Sequence, residues 1–401
     1  MSSQEPWLDN KNWRDNQISS GAKYGLWVIG GFALVWNGLT LPLLFWQLDD
    51  AIARIPNEPL VLLMFLFPAV GLGMLWVTWV LFKRWRKFGP TPLVLDPFPG
   101  AIGGHVGGRI DTRIPFDPSQ HYAVTLSCRK SSVSGHGKDR KRREQVKWQT
   151  DGVCHMEHSG SGTLLCFRFN VPEGLPVTDT HKSGTYYLWR VHVAAELEGP
   201  DFDRSYEIPV FPTSERSAIE EGTEGHAATQ ALAMKGVESV AEITAIPGGI
   251  EALFPAFQRP WMGIGAMLFG LFFAGTGIAV AFAKDGGIVI PLVFILVGGL
   301  VLFYGIWYLG KALMVGVTGE LVRCRRLLFG YPLKTRQLPH QEFVRFEVND
   351  GATMSVGNKT TVYYQLLAVG KDGQKLRVAE RLTSRAEVEL LKETYESYLG
   401  G

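Results

Sequence analysis

Four uninterrupted apolar runs, residues 25–47, 60–82, 261–283 and 287–309, restrict what this chain can become more than any other feature. Each has 23 residues and no charged side chain. At ~1.5 Å of helical rise per residue, each is long enough to cross a hydrocarbon layer of ~30 Å. The runs come as two close pairs, joined over 48–59 and 284–286, which makes each pair an antiparallel helical hairpin. The 401-residue chain is 46% hydrophobic, enough to build soluble units besides the membrane helices.

Charge sets the expected orientation. Lys83, Arg84, Arg86 and Lys87 follow the second run, Lys311, Arg323, Arg325 and Arg326 follow the fourth, and Lys11, Arg14 and Lys23 precede the first. The connections inside the pairs hold only Arg54 and Lys284 as cations. Loops poor in Lys and Arg belong outside. The N-terminal tail (1–23), the middle block and the C-terminal block are therefore expected in the cytoplasm. The four cysteines, Cys128, Cys154, Cys166 and Cys324, are too sparse for a secreted disulfide framework and fit a reducing compartment.

The middle block, 88–256, reads as an all-β sandwich. Tyr122, Val124, Leu126 and Cys128 alternate with polar residues, as do Leu165, Phe167 and Phe169, and then Tyr187, Trp189, Val191 and Val193. Period-two patterns between Gly, Pro and Ser clusters indicate short strands. Residues 214–236 read as a loop or short helix. Strands at 240–246 and 250–254, split by Pro247-Gly248-Gly249, read as a last hairpin of this block. The C-terminal block, 312–401, reads as strands at 314–318, 320–327, 344–348, 361–369 and 375–380. A helix opened by the capping box Ser384-x-x-Glu387 follows. The expected fold class is thus a mixed membrane protein: two transmembrane hairpins (24–83 and 261–310), an all-β middle domain, and a β-sheet plus helix domain at the end.

The chemistry-bearing motifs are few. The glycine-rich stretch 99–108 lacks the order of a phosphate-binding loop and reads as a strand connection. The run Lys138-Asp139-Arg140-Lys141-Arg142-Arg143 reads first as a solvated hairpin tip. With Lys83, Arg84, Arg86 and Lys87 it is also a candidate contact for anionic lipid or a partner protein. No interleaved aromatics mark it for nucleic acid, and none is assigned as a partner. Cys154, His155, His158 and Cys166 are candidate metal ligands. Their spacing matches zinc patterns only loosely, and a strand would turn His155 away from Cys154 and His158. No metal, cofactor or catalytic set is therefore assigned.

Inside the third run, Ala266, Gly270 and Ala274 recur at a spacing of four, which lets a second helix approach closely, either within the hairpin or in a homo-oligomer. No acidic, basic or histidine residue lies inside any span, which argues against an ion-coupled transporter.

The Gly-rich segment after the first hairpin, the Val171-Pro172-x3-Pro176 turn, Leu188-Trp189-Arg190 and Tyr206-Glu207-Ile208-Pro209-Val210 carry a resemblance. Over about its first 310 residues the chain resembles bacterial inner-membrane proteins of a family of unknown function, with a β-domain between membrane hairpins. The C-terminal block resembles the bacterial pleckstrin-homology-like domain. The resemblance implies architecture and no catalytic residue. The expectation is a non-enzymatic inner-membrane scaffold or regulator, with membrane lipids and other proteins as partners. A membrane enzyme acting on lipid or envelope substrates, with His105, His155, His158 and Asp201 as first candidates, is the alternative, and an oligomeric transporter stands behind it.

Overall fold

The computed structural model describes residues 5–55, 61, 64–134, 140–220, 226–258, 260–282, 287–356 and 359–399. Four helices are long and apolar enough to cross a membrane: α1 (Ala22–Arg54), α2 (Leu66–Phe88), α4 (Pro260–Ala281) and α5 (Val289–Gly310). At 33 residues, α1 is ~50 Å long, so its last turns, with the Asp50–Arg54 pair, extend beyond a ~30 Å layer. The helix continues through Pro42.

The two hairpins are built differently. In the first, Asn37 donates to the Gly71 carbonyl (3.0 Å) and the Trp36 indole donates to the Phe67 carbonyl (2.8 Å). A Cβ on Gly71 would lie 2.5 Å from Asn37 Oδ1, so a larger residue there would push the Asn37 amide off its bond to the Gly71 carbonyl. The second hairpin packs glycine against backbone. Gly263, Gly270 and Gly277 on α4, spaced by seven, face Leu309, Leu302 and Ile295 of α5, while Gly298 meets Ala274. A seven-residue repeat keeps one seam facing its partner helix. Gly270 and Ala274 of the small-residue motif thus face α5 within the hairpin. The hairpins make no extensive contact with each other among the described residues, so they form two separate pairs and no four-helix bundle.

Two four-stranded sheets enclose the first β core. One has the order β1 (Leu93–Leu95), β3 (His105–Asp111), β7 (Gly162–Asn170), β6 (His155–Ser159). The other has the order β5 (Lys141–Val153), β4 (Ala123–Ser134), β8 (Tyr186–Ala195), β9 (Phe202–Ile208). Val106, Ile110, Phe167 and Phe169 from the first sheet and Val124, Leu126, Trp189 and Tyr206 from the second share one buried cluster. Short β2 (Gly100–Ala101) and β10 (Val210–Phe211) pair in parallel at its edge. The glycine stretch supplies β2 and β3. A Cβ on Gly107 would lie 2.7 Å from the Asp96 carbonyl oxygen and 2.8 Å from that of Phe167, so close strand approach dictates glycine there.

The N-terminal segment is docked on this core, which corrects the expectation of a tail. Trp13 and Ile18 are buried, the Trp13 indole donates to the Glu207 carbonyl (3.0 Å), and Ile18 bridges to Leu93. The polar residues around them hid two core side chains.

The second unit corrects the expected boundary at 256. Helix α3 (His226–Val240) leads into β11 (Glu242–Ile246) and β12 (Gly249–Phe254). These strands join β13 (Lys311–Thr318), β14 (Leu321–Leu328) and β15 (Tyr331–Pro339) in a five-stranded sheet of order β11-β12-β13-β14-β15. β12 pairs with β13 from Gly249↔Thr318 to Phe254↔Leu313, so the hairpin α4–α5 is an insertion between two adjacent strands. Local periodicity identified the β11–β12 hairpin but carried no information about its partner sheet. β16 (Phe343–Val356), β17 (Lys359–Gly370), β18 (Lys375–Leu382) and α6 (Arg385–Leu399) complete this unit around a second buried cluster.

Candidate functional site

The outer face of the β5-β4-β8-β9 sheet is polar and half-hidden, because the second unit lies on it. Along β4, Thr125, Ser127, Arg129 and Ser131 alternate with the core residues, and Gln149, Asp151, Arg190 and His192 occupy neighbouring strands. Arg129 and Arg190 both reach Glu144 Oε2, at 3.6 and 3.7 Å. Burial pulls the Arg129 guanidinium down to about 10; Arg190 pushes the same way and Glu144 opposes. Arg129 therefore stays charged at neutral pH. From the other side, Tyr364 donates its hydroxyl to Gln149 Oε1 (2.7 Å).

One residue of this seam does the most joining. Asp151 on β5 accepts from Thr125 Oγ1 (2.7 Å), from Ser384 Oγ (2.9 Å), and from the backbone N–H groups of Arg385 (3.1 Å) and Ala386 (3.3 Å). A carboxylate at a helix N-terminus satisfies orphan donors and suits the positive end of the helix dipole. Glu387 accepts from the backbone of Thr383 (2.8 Å) and Ser384 (3.3 Å), completing the capping box from within. Beside this junction, β5, α3 and α6 leave an open groove of about 400 Å³, with Asp151, Gln230, Glu389, Leu390 and Glu393 along it.

The membrane helices enter the β units without slack. Phe88, the last residue of α2, is buried in the sandwich core with its ring edge-on to Phe202 (5.4 Å). Arg204 stacks on both rings and donates to Thr91 Oγ1 (3.0 Å) and the Gly89 carbonyl (3.4 Å). At the second hairpin, α5 ends at Gly310 and β13 begins at Lys311.

The candidate residues fall apart on this scaffold. Cys154 is buried behind Tyr122, whose carbonyl its N–H meets (2.8 Å). Cys166 Sγ lies 3.8 Å from Glu157 Oε1, and His158 packs on Phe116 (5.8 Å). Among the described residues no three His, Cys, Asp or Glu side chains group to hold a metal ion. His105 registers with Asn170 and His155 with Cys166. That offset of four residues is ~13 Å along the sheet, too far for joint chemistry. Burial, with Arg168 and Arg216 nearby, lowers the His105 pKa. Asp201 accepts from the Leu197 backbone (3.4 Å) in a loop of the other sheet.

Of the cations after α2, Lys87 donates to the carbonyls of Glu198 (2.6 Å) and Pro200 (3.2 Å), while Lys83 lies over the Trp79 ring (3.8 Å). In the basic run, Lys138 and Asp139 lie outside the described residues, as does the Lys141 side chain. Arg142 is tied back to Ser131 Oγ (2.9 Å) and the Tyr186 ring (4.7 Å), and Arg140 and Arg143 are exposed. The seam residues Arg129, Glu144, Gln149 and Asp151 escaped the motif search. Their only signal was an arginine and serines alternating with core residues on β4, a face too polar for sandwich core yet carrying a mid-strand Arg.

These features describe a protein with the helices of a multi-pass membrane protein and two β units fastened together. No protein-family model matches the sequence, and no curated protein matches it. A search of solved structures finds the crystal structure of Spo0M, a sporulation control protein from Bacillus subtilis, at 9% identity. That match covers 62% of this chain and 87% of the other, with a TM-score of 0.21, too low for the likeness to carry an argument.

Proposed function

We propose that this protein is a non-enzymatic scaffold or regulator of the bacterial inner membrane, with both β units on the cytoplasmic side. They bind partner proteins or the membrane surface, and the second unit is of the pleckstrin-homology-like type. The observation that carries the reading is the fastening itself. Asp151 of one unit caps α6 of the other, and α2 and α5 run straight into β structure, so the helices hold one composite surface at a set height. The groove between β5, α3 and α6, edged by Asp151, Glu389 and Glu393, is the place on that surface suited to a basic protein segment.

The test is purification of the full chain in mild detergent after cross-linking in cells, with identification of what is joined to α3 and α6. Recovery of defined partners, lost on charge reversal at Glu389 and Glu393, is the expected result. A partner-free monomer with a turnover activity would overturn the reading. Orientation is tested by single cysteines at Ser119 and Lys371, both exposed. Labelling of either from outside intact cells would contradict a cytoplasmic placement.

A further inference from the structure

The membrane-side mouth of the second unit concentrates positive charge and backbone strain in one place. Lys311 directly follows α5, and its ammonium lies over the rings of Tyr308 (4.6 Å) and Trp307 (5.3 Å). On β13, Lys311 shares a face with Leu313, which pairs with Arg326 of β14, so Lys311 and Arg326 are diagonal neighbours at ~7–8 Å. Arg377 and Arg381 approach from β18, and both are already engaged by Glu380, at 3.2 and 3.5 Å. Neither Lys311 nor Arg326 has a carboxylate within ion-pair distance among the described residues. Burial lowers the Lys311 pKa, with Arg381, Arg377 and Arg326 adding to the shift and Glu380 opposing it. The mouth is thus a cluster of four cations around one acid.

The backbone there is unusual too. Of the four non-glycine residues with positive φ among the described residues, three sit at this mouth: Phe257 (62°), Phe329 (49°) and Arg381 (68°). Phe257 N–H donates to the Leu309 carbonyl (3.0 Å) and Phe329 N–H to that of Gly310 (2.8 Å), so both bind the last turn of α5. Arg381 donates to Gln258 Oε1 (2.9 Å) and the Pro255 carbonyl (3.3 Å). Left-handed backbone at such residues is strained and gathers where a ligand is held. The crevice beneath Arg381 is only about 10 Å³, so a ligand must lie across the mouth and not inside it.

Position decides what that ligand is. Trp261 opens α4, and Tyr304, Trp307 and Tyr308 end α5, a belt of aromatic rings at the level where lipid headgroups lie. We propose that Lys311 and Arg326, backed by Arg377 and Arg381, form a binding site for the phosphate of an anionic phospholipid headgroup beside the second hairpin. The site deepens the scaffold reading by naming a lipid class for the membrane-facing surface of the second unit.

The test uses the full chain, exchanged into lipid-free detergent and incubated with mixed micelles of phosphatidylglycerol or of phosphatidylethanolamine. Retained lipid is counted by native mass spectrometry. Phosphatidylglycerol is expected to be retained in preference. With each cation worth about fivefold, the double variant K311Q/R326Q should lose retention by more than about tenfold. K311R should keep it. The double variant K147Q/K371Q, which removes the same charge at exposed sites elsewhere, should also keep it. A thermal melt of each variant confirms folding. Equal retention of the two lipids, unchanged retention by K311Q/R326Q, or displacement of the lipid by inorganic phosphate would overturn the site. Partner recovery is measured on the same preparations, so a failed lipid site is distinguishable from a failed scaffold reading.

Discussion

Asp151 Oδ2 accepts the Ser384 hydroxyl at 2.9 Å across 233 residues, so the first β unit supplies the N-terminal cap of the helix that closes the second. The contact is polar on both sides, like the rest of the seam. Interfaces of this kind hold domains together while leaving them separable.

Substituting Asp151→Ala removes the acceptor for Ser384, Arg385 and Ala386 and should lower stability by about 1–2 kcal/mol. Hydrogen exchange should accelerate in the first turn of α6 before it does so in the sandwich core. Asp151→Asn, which keeps an acceptor, should lose less. Equal exchange rates in wild type and Asp151→Ala would contradict the capping role.

Phe88 is the last residue of α2 and is buried in the sandwich core. Phe88→Ala should cost about 3–5 kcal/mol and leave Arg204 with the Phe202 ring alone. The expected readout is a lower melting temperature followed by tryptophan fluorescence, with α-helical circular dichroism retained.

In the second hairpin, Gly270 and Gly265 sit five residues apart and behave oppositely. A Cβ at Gly270 meets Leu302 N at 2.5 Å, whereas one at Gly265 meets nothing within 4 Å. Gly270→Leu should split the hairpin and shift its migration or thermal melt in detergent. Gly265→Leu should leave both unchanged.

Glu387 is buried, and desolvation raises its pKa despite hydrogen bonds from Thr383 and Ser384 that lower it; Asp151 adds to the rise. The folded state therefore holds this proton more tightly than the unfolded chain. Its contribution to stability is full below the ordinary carboxylate range and is lost as pH climbs through the raised value. Glu387→Gln should flatten the fall in stability as pH rises above about 4.5 in a pH series of melts. A fall equally steep in Glu387→Gln would assign the pH dependence to other groups.

The four thiols are all buried. Burial pushes Cys128 and Cys324 up to about 12 and Cys166 to about 11, and raises Cys154 as well. Thiols held so far above neutrality are poor nucleophiles. Alkylation at pH 7.5 followed by intact-mass analysis should therefore add nothing to the folded protein and four adducts after denaturation.

Charge-free runs of 23 residues require no partner to be recognised, because their length and composition alone meet the demand of a lipid layer. Alternation at Val124, Leu126 and Cys128 likewise marked a strand, and Ser384-x-x-Glu387 marked where α6 begins. Those signals are local, carried by residues a few positions apart. What tertiary structure alone decided is pairing. Residues 242–254 read as a hairpin in either setting, and only the ladder to β13 makes them part of the second unit, with α4–α5 inserted between its strands. Trp13 looked like a surface aromatic in a polar segment until Glu207 offered its carbonyl. Asp151 looked like one acid among many until α6 was laid on it, because a cap formed over 233 residues leaves no periodicity to read.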